Sequence, residues 1–158
     1  MALSPFLSTG QTCTEAYQLT SERLQKAGLR LVRTFDLHTV RAAGGDRLIG
    51  NVAIEVTLDG EPRVLAGFEN HGGRTHLGAG EEPLGRVLKG HGNDGSSGHE
   101  GVRRGSVIGT YLHGPLLPKN VWLADRLIEL ALGIEVEPLP GDELEDAAHA
   151  SARRAAGV

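Results

Sequence analysis

The stretch Val107-Ile108-Gly109-Thr110-Tyr111-Leu112-His113-Gly114-Pro115 constrains this chain more than any other. An apolar run delivers a histidine, a Gly-Pro pair breaks the strand, and the helix-like run Pro118 to Leu132 follows. Strand, turn and helix in that order form the repeating unit of an α/β fold, whose ligands collect outside the carboxyl ends of strands. An imidazole held there can act as a base or acid near neutral pH. The bland alternative is a histidine that is merely satisfied at a strand end, and only structural context decides between the two.

A chain of 158 residues is expected to form one domain. Aromatic residues make up 4%, so the core must rest on Leu, Val, Ile and Ala. Glycine, at 23 residues, is about twice its usual share, which implies many tight turns or close backbone approaches. A net charge of −4 argues against a nucleic-acid binder, which normally carries a basic face. The single cysteine, Cys13, excludes an internal disulfide and fits a reducing compartment. No apolar run is long enough to span a membrane, and Met1 to Gln11 lacks the pattern of a signal peptide. A cytoplasmic protein with no membrane insertion is expected.

Periodicity gives a coarse map. Thr14 to Lys26 reads as a helix closed by Gly28, and Leu29 to Val40 as extended chain. Ala42 to Asp46 reads as a turn. Leu48 to Leu58 is the clearest strand: Val52, Ile54, Val56 and Leu58 alternate with Ala53, Glu55 and Thr57, which puts one face on the core. Asp59-Gly60 turns the chain into a return strand beginning at Val64-Leu65-Ala66-Gly67-Phe68. Residues 69 to 105 hold eleven glycines and read as irregular, with short strands such as Arg86 to Lys89. Val107 to Leu112 reads as one buried strand. The helix after it has Pro118 near its start and Gly133 past its end, with Trp122, Leu123, Leu127, Ile128, Leu130 and Ala131 as its buried face. Gly141 to Ala156 reads as a terminal helix, acidic at its start and basic near its end, in accord with the helix dipole.

Four groupings can carry chemistry. Cys13 with His113 makes a nucleophile–base pair, although a lone cysteine is more often an inert apolar residue. Phe68-Glu69-Asn70-His71-Gly72-Gly73-Arg74-Thr75 concentrates polar groups at a strand end, where small polar ligands bind, or else is ordinary turn chemistry. Lys89 to Gly105 lacks the Gly-Lys-Ser/Thr of a phosphate loop. Its His91 and His99, with Asp94 or Glu100, fit no standard metal spacing, so no metal is expected. Arg47, just before the alternating strand, can pair bidentately with a carboxylate or simply be solvated.

Arg47-Leu48-Ile49-Gly50-Asn51, Gly67 to Thr75 and Gly109 to Asn120 together resemble the glutamine amidotransferase subunits of lipid II isoglutaminyl synthases. Those subunits are class I amidotransferases of the cobyric acid synthase type, and the likeness covers about residues 28 to 156. It implies an α/β fold: part of a Rossmann-like, flavodoxin-like domain with a mixed sheet. The expected organisation is a divergent segment, residues 1–27, and the C-terminal part of an amidotransferase domain, residues 28–158, with the domain's N-terminal strands missing.

The resemblance further implies a glutaminase that releases ammonia from L-glutamine. A Mur-ligase-like synthetase subunit would use that ammonia, with ATP and Mg, to amidate the D-glutamate of lipid II. No cofactor would sit in this chain. His113 matches the general base, Cys13 falls at the place of the nucleophile, and Arg47 matches the residue holding the substrate glutamine. Asn70 and His71 would line the site. Two departures stand out. Pro115 occupies the place of a glutamate found two residues after the histidine in many class I members. The family's Cys-Gly-Gly-Tyr-Gln elbow reads here Cys13-Thr14-Glu15-Ala16-Tyr17-Gln18. The latter makes a non-catalytic, truncated or frameshifted remnant that keeps partner binding one alternative, and a corrinoid acceptor of the cobyric acid type is another.

Overall fold

A computed structural model describes residues 37–41, 46–105, 107–113 and 115–158. In chain order its elements are β1 (Leu37–Arg41), β2 (Leu48–Thr57), β3 (Pro62–His71), β4 (Gly73–Leu77), β5 (Gly85–Lys89), β6 (His99–Glu100), β7 (Val102–Arg104), β8 (Val107–Gly109) and β9 (Leu112–His113). A 3-10 turn (Leu117–Lys119) and two helices follow, α1 (Val121–Leu132) and α2 (Asp142–Ala156). The elements expected before Leu37 and at 42–45 lie outside the described residues.

The alternating segment forms the centre of the sheet. β2 and β3 pair antiparallel along their whole length, with Leu48 opposite His71 and Thr57 opposite Pro62. β5 adds to the free side of β2, β6 to β5, and β9 to β3, giving the order β6-β5-β2-β3-β9. Two further ribbons, β1-β4 and β7-β8, flank it, and every pairing among the described residues is antiparallel.

Opposed residues share a face, so the register sorts the hairpin into two layers. Val52, Ile54, Val56 and Leu65 lie on one face and pack with Leu84, Leu112 and Leu123 into the core. Burying each such side chain contributes about 1.5–3 kcal/mol. Trp122 and Leu127 bring α1 onto this face, with Arg63 stacked over the Trp122 ring at 5.2 Å. Ala53 and Ala66 are buried on the other face. There Asn51 donates to the carbonyl of Ala155, which seats the end of α2.

Asn120 ties α1 to the sheet. Its side chain is fully buried, accepting from the Ala66 N–H (2.9 Å) and donating to the carbonyls of Ala66 (2.9 Å) and Leu116 (2.7 Å). β9 pairs with β3 only at Phe68 and Glu69. The Asn120 amide takes over at Ala66, doing for one residue what a strand would do.

Three expectations are corrected. Residues 69–105 are mostly short strands and tight turns, their glycines supplying the turn conformations. At Gly92, φ is +68° and an added Cβ would stand 2.3 Å from the His99 carbonyl oxygen, so only glycine fits. The single strand expected over Val107–Leu112 is broken at Thr110 and Tyr111 into β8 and β9, which join different sheets. Side chains interrupt it there: Glu100 accepts the Tyr111 N–H and the Thr110 hydroxyl accepts the Leu112 N–H. In α1, Ile128 and Leu130 are 44% and 43% exposed and Ala131 is exposed too, because among the described residues only its first two turns meet the core. Gly133 ends that helix at φ +68°, as expected. α2 carries Asp142, Glu143 and Glu145 in its first turn and Arg153 and Arg154 in its last, also as expected. No described helix is long and apolar enough to cross a membrane.

Candidate active site

The carboxyl end of β3 organises the site. Its alternation sends Phe68 and Asn70 to one face and Glu69 and His71 to the other. On the first face, β9 places His113 opposite Phe68, with its side chain exposed. Asn70 lies two residues further along β3, on the same face as Phe68. Arg47 reaches Asn70 from the start of β2, donating from Nε to Oδ1 (2.7 Å) and from Nη2 to the backbone oxygen (2.6 Å). The fork expected to grip a carboxylate is thus oriented by an amide and a carbonyl. The fold therefore gathers His113, Asn70 and Arg47. Cys13 lies outside the described residues.

The opposite face holds a buried polar cluster. Glu69, 1% exposed, accepts from the His91 N–H (2.7 Å), the His91 Nδ1–H (2.7 Å) and the Gly92 N–H (3.0 Å). His71, 5% exposed, stacks on Tyr111 with centroids 3.9 Å apart and planes 3° from parallel. Its Nδ1 lies 2.9 Å from the Gly73 carbonyl, which can only accept, so Nδ1 carries a proton. Its Nε2 faces Glu69 Oε2 at 3.9 Å. Asn70 and His71, neighbours in sequence, are thus set on opposite sides of the sheet. Tyr111 also joins a hydroxyl chain, with 2.7 Å from Tyr111 to Thr75 and 2.7 Å from Thr75 to Thr39.

Glu100 is fully buried beside this cluster. It accepts the Tyr111 N–H (2.6 Å) and the Thr110 hydroxyl (3.0 Å). Burial pushes its carboxyl from the usual 4.5 up to about 7, with the Glu69 charge adding to the rise and the Tyr111 and Thr110 hydrogen bonds opposing it. Between those two values the folded chain holds a proton that the unfolded chain releases, so stability falls as pH rises through this window. The rise is equivalent to about 3 kcal/mol above pH 7. Glu100→Gln, which cannot ionise but has weaker hydrogen bonds, is expected to be more stable than wild type at pH 8 by about 1–2 kcal/mol. The difference should vanish towards pH 5. Urea unfolding across that range checks this, and parallel curves for the two proteins would refute it.

Among the described residues, no three His, Cys, Asp or Glu side chains are grouped to hold a metal ion. His91, considered above with His99, turns to Glu69 instead. The buried roles of Glu69 and Glu100, and any role for Tyr111 or Asn120, escaped the sequence reading. Nothing in the local periodicity marks either acid as a core residue.

Residues 10–121 match the CobB/CobQ-like glutamine amidotransferase domain family. The chain is 39% identical over 109 residues to the lipid II isoglutaminyl synthase (glutamine-hydrolyzing) subunit GatD of Staphylococcus aureus (strain N315), covering 69% of this chain and 43% of that protein. It is 42% identical over 87 residues to the GatD subunit of Streptococcus pneumoniae (strain ATCC BAA-255 / R6), covering 55% of this chain and 33% of that protein. A probable cobyric acid synthase of Methanosphaera stadtmanae is 48% identical over 50 residues, 32% of this chain and 10% of that protein. The chain thus spans less than half the length of these relatives. With most of its length matched, the chain belongs to the CobB/CobQ-like glutamine amidotransferase family.

Proposed function

We propose that this chain is the glutamine-hydrolysing part of an enzyme that amidates the D-glutamate of lipid II. The observation that carries the reading is the gathering of His113 and the Arg47–Asn70 pair on one face at the end of β3. In this reading the Cys13 thiol gives its proton to His113 and its sulfur attacks the side-chain amide carbon of glutamine. His113 then passes the proton to the leaving nitrogen, releasing ammonia and leaving a thioester. Water, deprotonated by His113, hydrolyses the thioester to glutamate. Arg47 holds the substrate's α-carboxylate with its Asn70-oriented guanidinium. A Mur-ligase-like partner subunit, working in the cytoplasm with ATP and Mg, takes up the ammonia. The likeness to two GatD subunits supports lipid II as the acceptor.

The test is transfer of label from amide-15N glutamine into lipid II by the complex with its synthetase subunit. Transfer lost in Cys13→Ala supports the reading. In the same assay Arg47→Lys, which cannot reproduce the fork, is expected to raise KM for glutamine about tenfold with kcat little changed. An unchanged KM would remove Arg47 from substrate binding. One observation favours a second reading, a chain that binds the partner without hydrolysing glutamine. Thr14-Glu15-Ala16 stands where a tight glycine turn would aim backbone N–H groups at the oxyanion. Ammonia release indifferent to Cys13, or none at all, would favour it. Amidation of a corrinoid with none of lipid II would turn the acceptor to that of the cobyric acid synthase relatives.

A further inference from the structure

We infer that Glu100 is the positioning residue that sets His113 in place, acting through the main chain of Thr110 to Leu112. The inference rests on the proposed role of His113. Among the described residues, none hydrogen-bonds to the His113 ring, and Pro115 stands where many class I members carry a glutamate. Within those residues, the histidine is therefore placed by its backbone alone.

That backbone is held from two sides. β3 pairs with Leu112 and His113 through Glu69 and Phe68. Just upstream, Glu100 grips the segment through the Tyr111 N–H and the Thr110 hydroxyl, while the Thr110 oxygen accepts the Leu112 N–H at 3.0 Å. Glu100 itself sits on a fixed platform. Asn93, 3% exposed, accepts the Gly101 N–H (2.8 Å) and donates to the Gly101 carbonyl (2.9 Å). Gly101 packs so tightly that an added Cβ would stand 2.5 Å from the Gly109 carbonyl oxygen. A continuous set of contacts thus runs from Asn93 through Gly101 and Glu100 to the residue before Leu112-His113.

The experiment compares wild type, Glu100→Ala and Glu100→Gln in the complex with the synthetase subunit. Two readouts are taken: glutamine hydrolysis, and the 15N ring signals of His113. Glu100→Ala is expected to lower kcat about 10- to 100-fold with KM for glutamine within about twofold, because the base is misplaced while the glutamine site stands. Its His113 signals should broaden or split. The Gln amide still accepts the Tyr111 N–H, so Glu100→Gln should recover most of the lost rate and a single sharp set of signals. A kcat for Glu100→Ala equal to wild type with unchanged signals overturns the inference. So does a loss in Glu100→Gln as large as in Glu100→Ala. If Glu100→Ala fails to fold, Thr110→Val, which removes one of the two groups gripped, takes its place with the same expected signs. If the wild-type complex hydrolyses no glutamine, the role of His113 as base falls, and the ring signals alone decide whether Glu100 places it.

Discussion

Replacing His113 with alanine is expected to lower glutamine turnover by about two to four orders of magnitude, the usual contribution of a placed acid–base group. The side chain is exposed at the end of an edge strand, so little packing is lost with it. Stability should stay within about 0.5 kcal/mol of wild type, as at other surface positions. The two results must appear together: ammonia release lost, urea midpoint kept. The effect should fall on kcat more than on KM, since the proposed substrate grip belongs to Arg47, just before β2. A variant that still released ammonia at half the wild-type rate would remove His113 from the chemistry.

Asn120→Ala should have the largest effect on stability, about 3–4 kcal/mol. Truncation leaves the Ala66 N–H, the Ala66 carbonyl and the Leu116 carbonyl without their partner in the interior, and each orphaned group costs about 1–3 kcal/mol. The three penalties do not add fully, because a vacated site can admit water. Asn120→Asp is the sharper probe. It preserves size and the bond from the Ala66 N–H but cannot donate to either carbonyl, and it brings a charge into a buried site. Both variants should lower the urea midpoint, aspartate at least as much as alanine at neutral pH. A loss below 1 kcal/mol in both would mean that the amide does not hold α1 to the sheet.

The elements that sequence made legible are those whose side chains repeat. Val52, Ile54 and Val56 mark β2 by period two, and Pro118 with Gly133 frames α1. The stretch between residues 69 and 105 was obscure for a physical reason. Its strands are two to five residues long, too short for a period to show, and its order comes from single long-range bonds such as Glu69 to Gly92 and Asn93 to Gly101. The histidine at a strand end and the arginine beside β2 could be read from motifs. Their meeting through Asn70 could not, because it depends on the register that sets Ile49 opposite Asn70. Ile128 and Leu130 show the converse. Helical period predicts an apolar stripe, but what covers the stripe is a tertiary fact.

The Asn120 amide also has a bearing on how the molecule meets other chains. An open strand margin is a template on which a second polypeptide can add itself, the usual route to lateral self-assembly. Along β3 the outward margin at Phe68 and Glu69 is paired by β9, and the docking groups of Ala66 are taken by a side chain anchored to a helix. An incoming strand would have to expel a fully buried amide to extend the ladder past that point. At Ala66 that margin is closed by one side chain, and a variant lacking it would be open to lateral association at this point even where it still folds.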